Sequence, residues 1–106
     1  MKGNIFDNCK TDSKEEIFET LYQNENVIIE RIISFGNVTS QGQWYDQEKD
    51  EWVLLIEGNA KLEFEDDRIV ELNKGDYVHL PVHQKHRVIY TSIDPKCIWL
   101  AFHFKS

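Results

Sequence analysis

The chain has 106 residues, 41% of them hydrophobic and 29% charged, a size and balance that fit one folded domain and exclude a disordered chain. Nineteen acidic against twelve basic side chains leave a net charge of −7 at pH 7; the Lys and Arg residues are scattered, which argues against nucleic acid or anionic membrane as partners. No window approaches the ~20 apolar residues of a membrane span and Met1 to Asp7 hold no signal-like apolar stretch, so a cytoplasmic protein is expected.

In chain order, Ser13-Lys14-Glu15-Glu16 carries the Ser-x-x-Glu signature of a helix start. With Ile17, Phe18 and Leu21 on one face, it predicts a short helix over 13–22. After Asn24-Glu25-Asn26 the pattern turns β-branched, beginning with Val27 to Ile33. Trp52 to Ile56 is an apolar run, and Ala60 to Glu65 alternates strictly. Gly58-Asn59 between them reads as a tight hairpin. Ile69 to Leu72, Tyr77 to Leu80, His86 to Thr91 and Ile98 to Phe104 continue the series, separated by Asp66-Asp67, Lys74-Gly75-Asp76, Pro81 and Ser92 to Pro95.

Seven or eight short strands at even spacing predict an all-β sandwich or closed barrel: a single domain over 1–106, with an N-terminal segment and helix at 1–24 and the barrel at 25–104. Strands 52–56 and 98–104 are apolar on both faces and must be covered twice, once by the barrel interior and once by the N-terminal helix or a second subunit. A homodimer is expected on that ground. Cys9 and Cys97 stand in no metal or redox spacing and read as free thiols. Lys14-Glu15-Glu16 and Glu63 to Asp67 read as solvated charge runs. A nucleophile elbow and a phosphate loop are both missing from the sequence, which argues against nucleophilic catalysis and nucleotide hydrolysis.

Glu51 followed after six residues by Gly58, and Gly75 followed after five by Pro81 with His86 five positions further, resemble the two conserved motifs of the cupins. The likeness extends over about residues 25–104, to small stand-alone bacterial members. It implies a cupin-type jelly-roll barrel in which Glu51 and His86 reach a common interior site as metal ligands. The sequence departs from the family where a His-x-His pair precedes the glutamate: those places hold Tyr45 and Gln47 or, with the alternative spacing, Trp44 and Asp46. His83 and Tyr90 replace an expected glycine and asparagine.

A catalytic metal needs about three protein ligands and an open position, so His83 is the candidate third ligand beside Glu51 and His86, with Asp46 or His103 able to add another. The cofactor expected is a divalent ion, Fe, Mn, Zn or Ni, acting on a small organic substrate. Trp44, Asp46, Tyr90, Trp99 and His103 are the candidate substrate-binding residues, since pockets join apolar walls to a few placed polar groups. The alternative is a metal-free module that binds or senses a small metabolite. His79, in an alternating strand, reads as a half-buried residue bonded to a neighbour.

Overall fold

A computed structural model describes residues 2–9 and 12–105. Among them are eight β-strands in two antiparallel sheets: β1 (Ile17–Gln23), β2 (Val27–Ser34), β3 (Asp50–Glu57), β4 (Ala60–Phe64), β5 (Ile69–Leu72), β6 (Tyr77–Leu80), β7 (His86–Thr91) and β8 (Cys97–Phe104). The larger sheet runs β1-β2-β8-β3-β6 and the smaller β5-β4-β7. The two face each other in a jelly roll, and the strands from β2 onward match the predicted runs.

The helix expected over 13–22 is not formed; Ile17–Gln23 is an edge strand of the larger sheet. The reason lies in the groups that were read as a cap. Ser13 Oγ does accept a hydrogen bond from the Glu15 amide at 3.2 Å, but the Glu16 carboxylate reaches across to Ser34 Oγ on β2 instead of back to the chain. Ile17 then pairs with Ile33 and Phe18 with Ile32, so β-branched neighbours on β2 decide the conformation over weak local helix preference. The barrel sheet thus includes residues 17–23, ahead of the boundary drawn at 24. Asn24 closes the β1–β2 hairpin by accepting from the amides of Asn26 and Val27 through Oδ1.

A second correction concerns Gly58-Asn59. The turn exists, with Gly58 at a φ of 91°, but β3 and β4 lie in different sheets, so it is a corner between sheets and not a hairpin between paired strands. A Cβ at 58 would lie 2.8 Å from both Cys97 Sγ and Ser92 Oγ and 2.9 Å from Lys96 O. Asn59 is tied to the same loop, its amide donating to Ser92 Oγ at 3.0 Å and its carbonyl accepting from the Ser92 amide at 2.9 Å.

Alternation along the strands divides the molecule into inside and outside. Val53, Leu55, Ala60, Leu62, Phe64, Leu72, Leu80, Cys97, Trp99 and Ala101 form the buried core between the sheets. On the outer face of β2, buried Arg31 pairs with Glu19 at 2.6 Å and donates to the carbonyls of Ile5 and Asp7, fastening the N-terminal segment. The outer faces of β3 and β8 carry Trp52, Leu54, Leu100 and Phe102, with Tyr77 beside Trp52 at 5.3 Å between ring centroids. No helix covers them among the described residues. None of the described elements is a helix long and apolar enough to cross a membrane.

Candidate functional site

Against the core lies a cavity of about 280 Å³. Its apolar wall is built from Phe18, Ile32, Val53, Leu62, Leu80, Val88 and Trp99, and its polar groups are Glu16, Glu30, Tyr45, Gln47, Glu51, His86 and His103.

Each polar group arrives by strand parity. Glu51 precedes Val53 and Leu55 on the inner face of β3, while His103 follows Trp99 and Ala101 on the inner face of β8, directly across the ladder from Glu51. His86 opens β7 on the opposite sheet. Residues 45–47 run antiparallel to 83–86: the Tyr45 amide donates to His86 O at 2.8 Å, the His86 amide to Tyr45 O at 3.1 Å and the His83 amide to Gln47 O at 2.9 Å. Tyr45 and Gln47 consequently face the cavity and Asp46 faces away, which places a phenol and a carboxamide where the resembled family has its two imidazoles.

Glu51 and His86 converge from different sheets, Oε1 lying 3.9 Å from Nε2. His86 Nδ1 donates to Gln84 O at 3.1 Å, which in the neutral ring leaves Nε2 as the acceptor facing the cavity. Tyr45 stacks on the imidazole with ring centroids 5.5 Å apart. Glu51 is 8% exposed, and the 3.9 Å approach of His86 is beyond hydrogen-bonding reach. Burial raises its carboxyl pKa above the ordinary value; the imidazoles of His103 and His86 oppose that rise and the Glu30 carboxylate adds to it. Glu51 therefore releases its proton at higher pH than an exposed glutamate does.

A second acid–imidazole pair sits nearby, His103 Nε2 on Glu30 Oε1 at 2.9 Å. Glu16 is raised by burial and lowered by its Ser34 hydrogen bond, and Ser34 Oγ in turn accepts from Trp99 Nε1 at 3.1 Å. Tyr45 is raised by burial and by the carboxylates of Glu16 and Glu51, against a hydrogen bond from Thr39.

The remaining residues singled out in the sequence lie outside this group. His83 is exposed, holds a φ of 60° and pairs with Asp46 through Nδ1 at 2.7 Å; neither lines the cavity. The left-handed backbone explains why the family tolerates glycine there. Trp44 is on the outer surface with Arg87 5.2 Å from its ring, and Tyr90 is exposed under Lys61 at 5.9 Å. His79 is exposed and contacts Asp50 at 3.4 Å. Of the expected metal set, Glu51 and His86 come together and His83 does not. Among the described residues no three His, Cys, Asp or Glu side chains gather in metal-holding geometry. The donors present do not fit a three-ligand divalent site.

Glu16 and Glu30 were missed. Glu16 read as part of a solvated run, yet it faces the cavity. Glu30 did carry a signal: a lone acid within Ile28-Ile29-Glu30-Arg31-Ile32-Ile33 is either paired or pocket-facing.

With this geometry in hand, the model of the family described as Cupin domain matches residues 36–103. A Ralstonia eutropha JMP134 protein of known structure, provisionally assigned as a mannose-6-phosphate isomerase, is 37% identical with a TM-score of 0.96, over 100% of this chain and 99% of that one. A cupin superfamily protein from Desulfitobacterium hafniense DCB-2 is 18% identical with a TM-score of 0.77, over 92% and 84%. An RmlC-like cupin from Desulfovibrio desulfuricans is 16% identical with a TM-score of 0.70, over 97% and 95%; these last two likenesses concern the fold. A comparison with curated proteins finds no match.

Proposed function

The chain belongs to the cupin domain family, and from that premise we propose that its barrel recognises a small organic molecule without a metal, with Glu51 and His86 as the polar centre. The observation that carries this reading is the cavity itself: about 280 Å³ with mostly apolar walls, into which a buried carboxyl and an imidazole project 3.9 Å apart. Such cavities bury a compact ligand, and a few convergent polar groups fix its orientation. Trp99 and His103, two of the residues expected to bind substrate, line it. Trp44, Asp46 and Tyr90 belong to its outer surroundings.

The pair also supports an enzymatic version of the same reading. A carboxyl whose pKa burial raises and an imidazole Nε2 that accepts a proton, on facing sheets, can exchange protons with neighbouring atoms of a bound hydroxy-carbonyl compound. The name carried by the Ralstonia relative belongs to that class of proton-transfer chemistry. The phosphate in that name finds no Lys or Arg in the cavity lining among the described residues.

The test is a thermal-shift screen of small metabolites run with chelator present throughout, because a ligand that binds only the folded state raises the melting temperature by mass action. Stabilisation by an organic compound, lost in His86→Ala, is expected. Chelation alone is expected to leave the melting temperature within about 1 °C. A drop of several degrees on chelation, restored by iron, manganese, zinc or nickel, would return the metal set of Glu51, His83 and His86 to consideration.

Two further parts of the reading concern the whole protein. The uncovered aromatic face of β3 and β8 supports a homodimer, and the two free thiols Cys9 and Cys97 suit the reducing cytoplasm.

A further inference from the structure

We propose that the ligand is an organic ammonium ion, a compact amine with an apolar body, held with its cationic head on Glu51; this rests on the cavity being a small-molecule site. The charge inventory leads there. Among the described residues three carboxylates, Glu16, Glu30 and Glu51, face the cavity and no Lys or Arg lines it. Two of the three already have close partners: Glu30 has His103 at 2.9 Å and Glu16 has the Ser34 hydroxyl. Glu51 has none within hydrogen-bonding distance, although it is 8% exposed and directed into the cavity.

A buried carboxylate without a donor is costly, and a cation brought beside it removes that cost while forming a charge-assisted hydrogen bond. A phosphate or carboxylate ligand meets the reverse situation. Both imidazoles stand beside glutamates, so even if either ring is protonated its charge is neutralised locally and gives an anion no free positive group. The molecule as a whole, at −7, steers cations inward and anions away. The remainder of the ligand must be apolar, because Phe18, Ile32, Val53, Leu62, Leu80, Val88 and Trp99 make up the rest of the lining. It must also be small, since about 280 Å³ is at the lower end of ligand cavities.

Three probes with one body and different heads test the assignment: benzylamine, benzyl alcohol and benzyl phosphate, titrated calorimetrically into the full chain at neutral pH with chelator present. Benzylamine is expected to bind at least about tenfold more tightly than benzyl alcohol, in keeping with one charge-assisted hydrogen bond, and benzyl phosphate most weakly. In Glu51→Gln the amine and the alcohol should come within about threefold of each other. The place of binding is read from quenching of indole fluorescence, which should be lost in Trp99→Phe, and from Val88→Trp, which fills the cavity and should abolish binding. If the alcohol or the phosphate binds in the cavity as tightly as the amine, the ammonium assignment is overturned and the small-molecule cavity stands. If none of the three binds, or binding survives Val88→Trp and the quenching survives Trp99→Phe, the cavity reading falls and the assignment with it.

Discussion

Glu51 is where one residue's chemistry has a consequence for the stability of the whole chain. Its carboxyl, raised by burial, keeps its proton in the folded protein at pH values where the unfolded chain has lost it. The folded state then binds more protons than the unfolded one, and stability falls as pH rises from the ordinary carboxylate value near 4.3 to the raised value, beyond which it levels off. Glu16, also raised by burial, contributes with the same sign. Glu51→Gln keeps the shape and removes the ionisation, so the variant should lose less stability across that window. Above it the variant should exceed the parent by on the order of 1 kcal/mol, the scale of an unpaired buried polar group. Urea denaturation between pH 4.5 and 8 measures both curves; a variant less stable than the parent at pH 8 would show that the carboxylate is held by a partner. At this scale the sequence was partly legible. Motif position and strand parity point Glu51, His86 and His103 inward, where all three line the cavity, whereas His83, expected to reach the barrel mouth from the turn before β7, stands at a left-handed residue and pairs with Asp46 on the surface.

Among the elements, the strands from β2 to β8 were readable because β-branched runs alternate between clear turn residues, and that local signal agrees with the tertiary one. The corners between sheets were not, since a turn that joins paired strands and one that crosses to the other sheet have similar sequences. Gly58 and Gly75 show the difference physically. Both hold φ near 90°, at 91° and 90°, but a Cβ at 75 meets open space while one at 58 falls within 3.0 Å of two atoms of the β7–β8 loop and of Cys97 Sγ at the start of β8. Gly75→Ala should therefore cost only the backbone strain, about 1 kcal/mol. Gly58→Ala adds the displacement of Lys96 O and the Cys97 and Ser92 side chains, and should cost about 3 kcal/mol or more. Equal losses in chemical denaturation would mean that conformation alone governs both corners. The failed helix belongs to this scale too: a capping signature and three apolar residues were outweighed by the ladder with β2 and the Glu16–Ser34 hydrogen bond, contacts that reach residues up to 18 positions further along the chain.

The molecule as a whole places its two most apolar strands at adjacent positions inside a five-stranded sheet, and their double apolarity has only one side explained by the core. The N-terminal segment is fastened over Arg31 on β2, leaving Trp52, Leu54, Tyr77, Leu100 and Phe102 outward, with Trp52 packed edge-on against Phe102 at 5.8 Å. A second copy is the occupant that this face suits, because a two-fold interface sets the same patch against itself and needs no charge complementarity. Two chains of −7 each repel elsewhere on their surfaces, so a mostly aromatic and apolar face is where self-association costs least. The sign of the salt effect follows. Screening weakens the repulsion but leaves the apolar contact intact, so the dimer should tighten as sodium chloride rises from 20 to 300 mM, opposite to an interface built on ion pairs. Sedimentation equilibrium at micromolar concentrations should report about twice the 12.6 kDa chain mass, and Trp52→Glu should shift the boundary to monomer while leaving the far-ultraviolet spectrum unchanged. A wild-type monomer throughout that salt range, or a dimer that Trp52→Glu leaves intact, would remove this face as the interface.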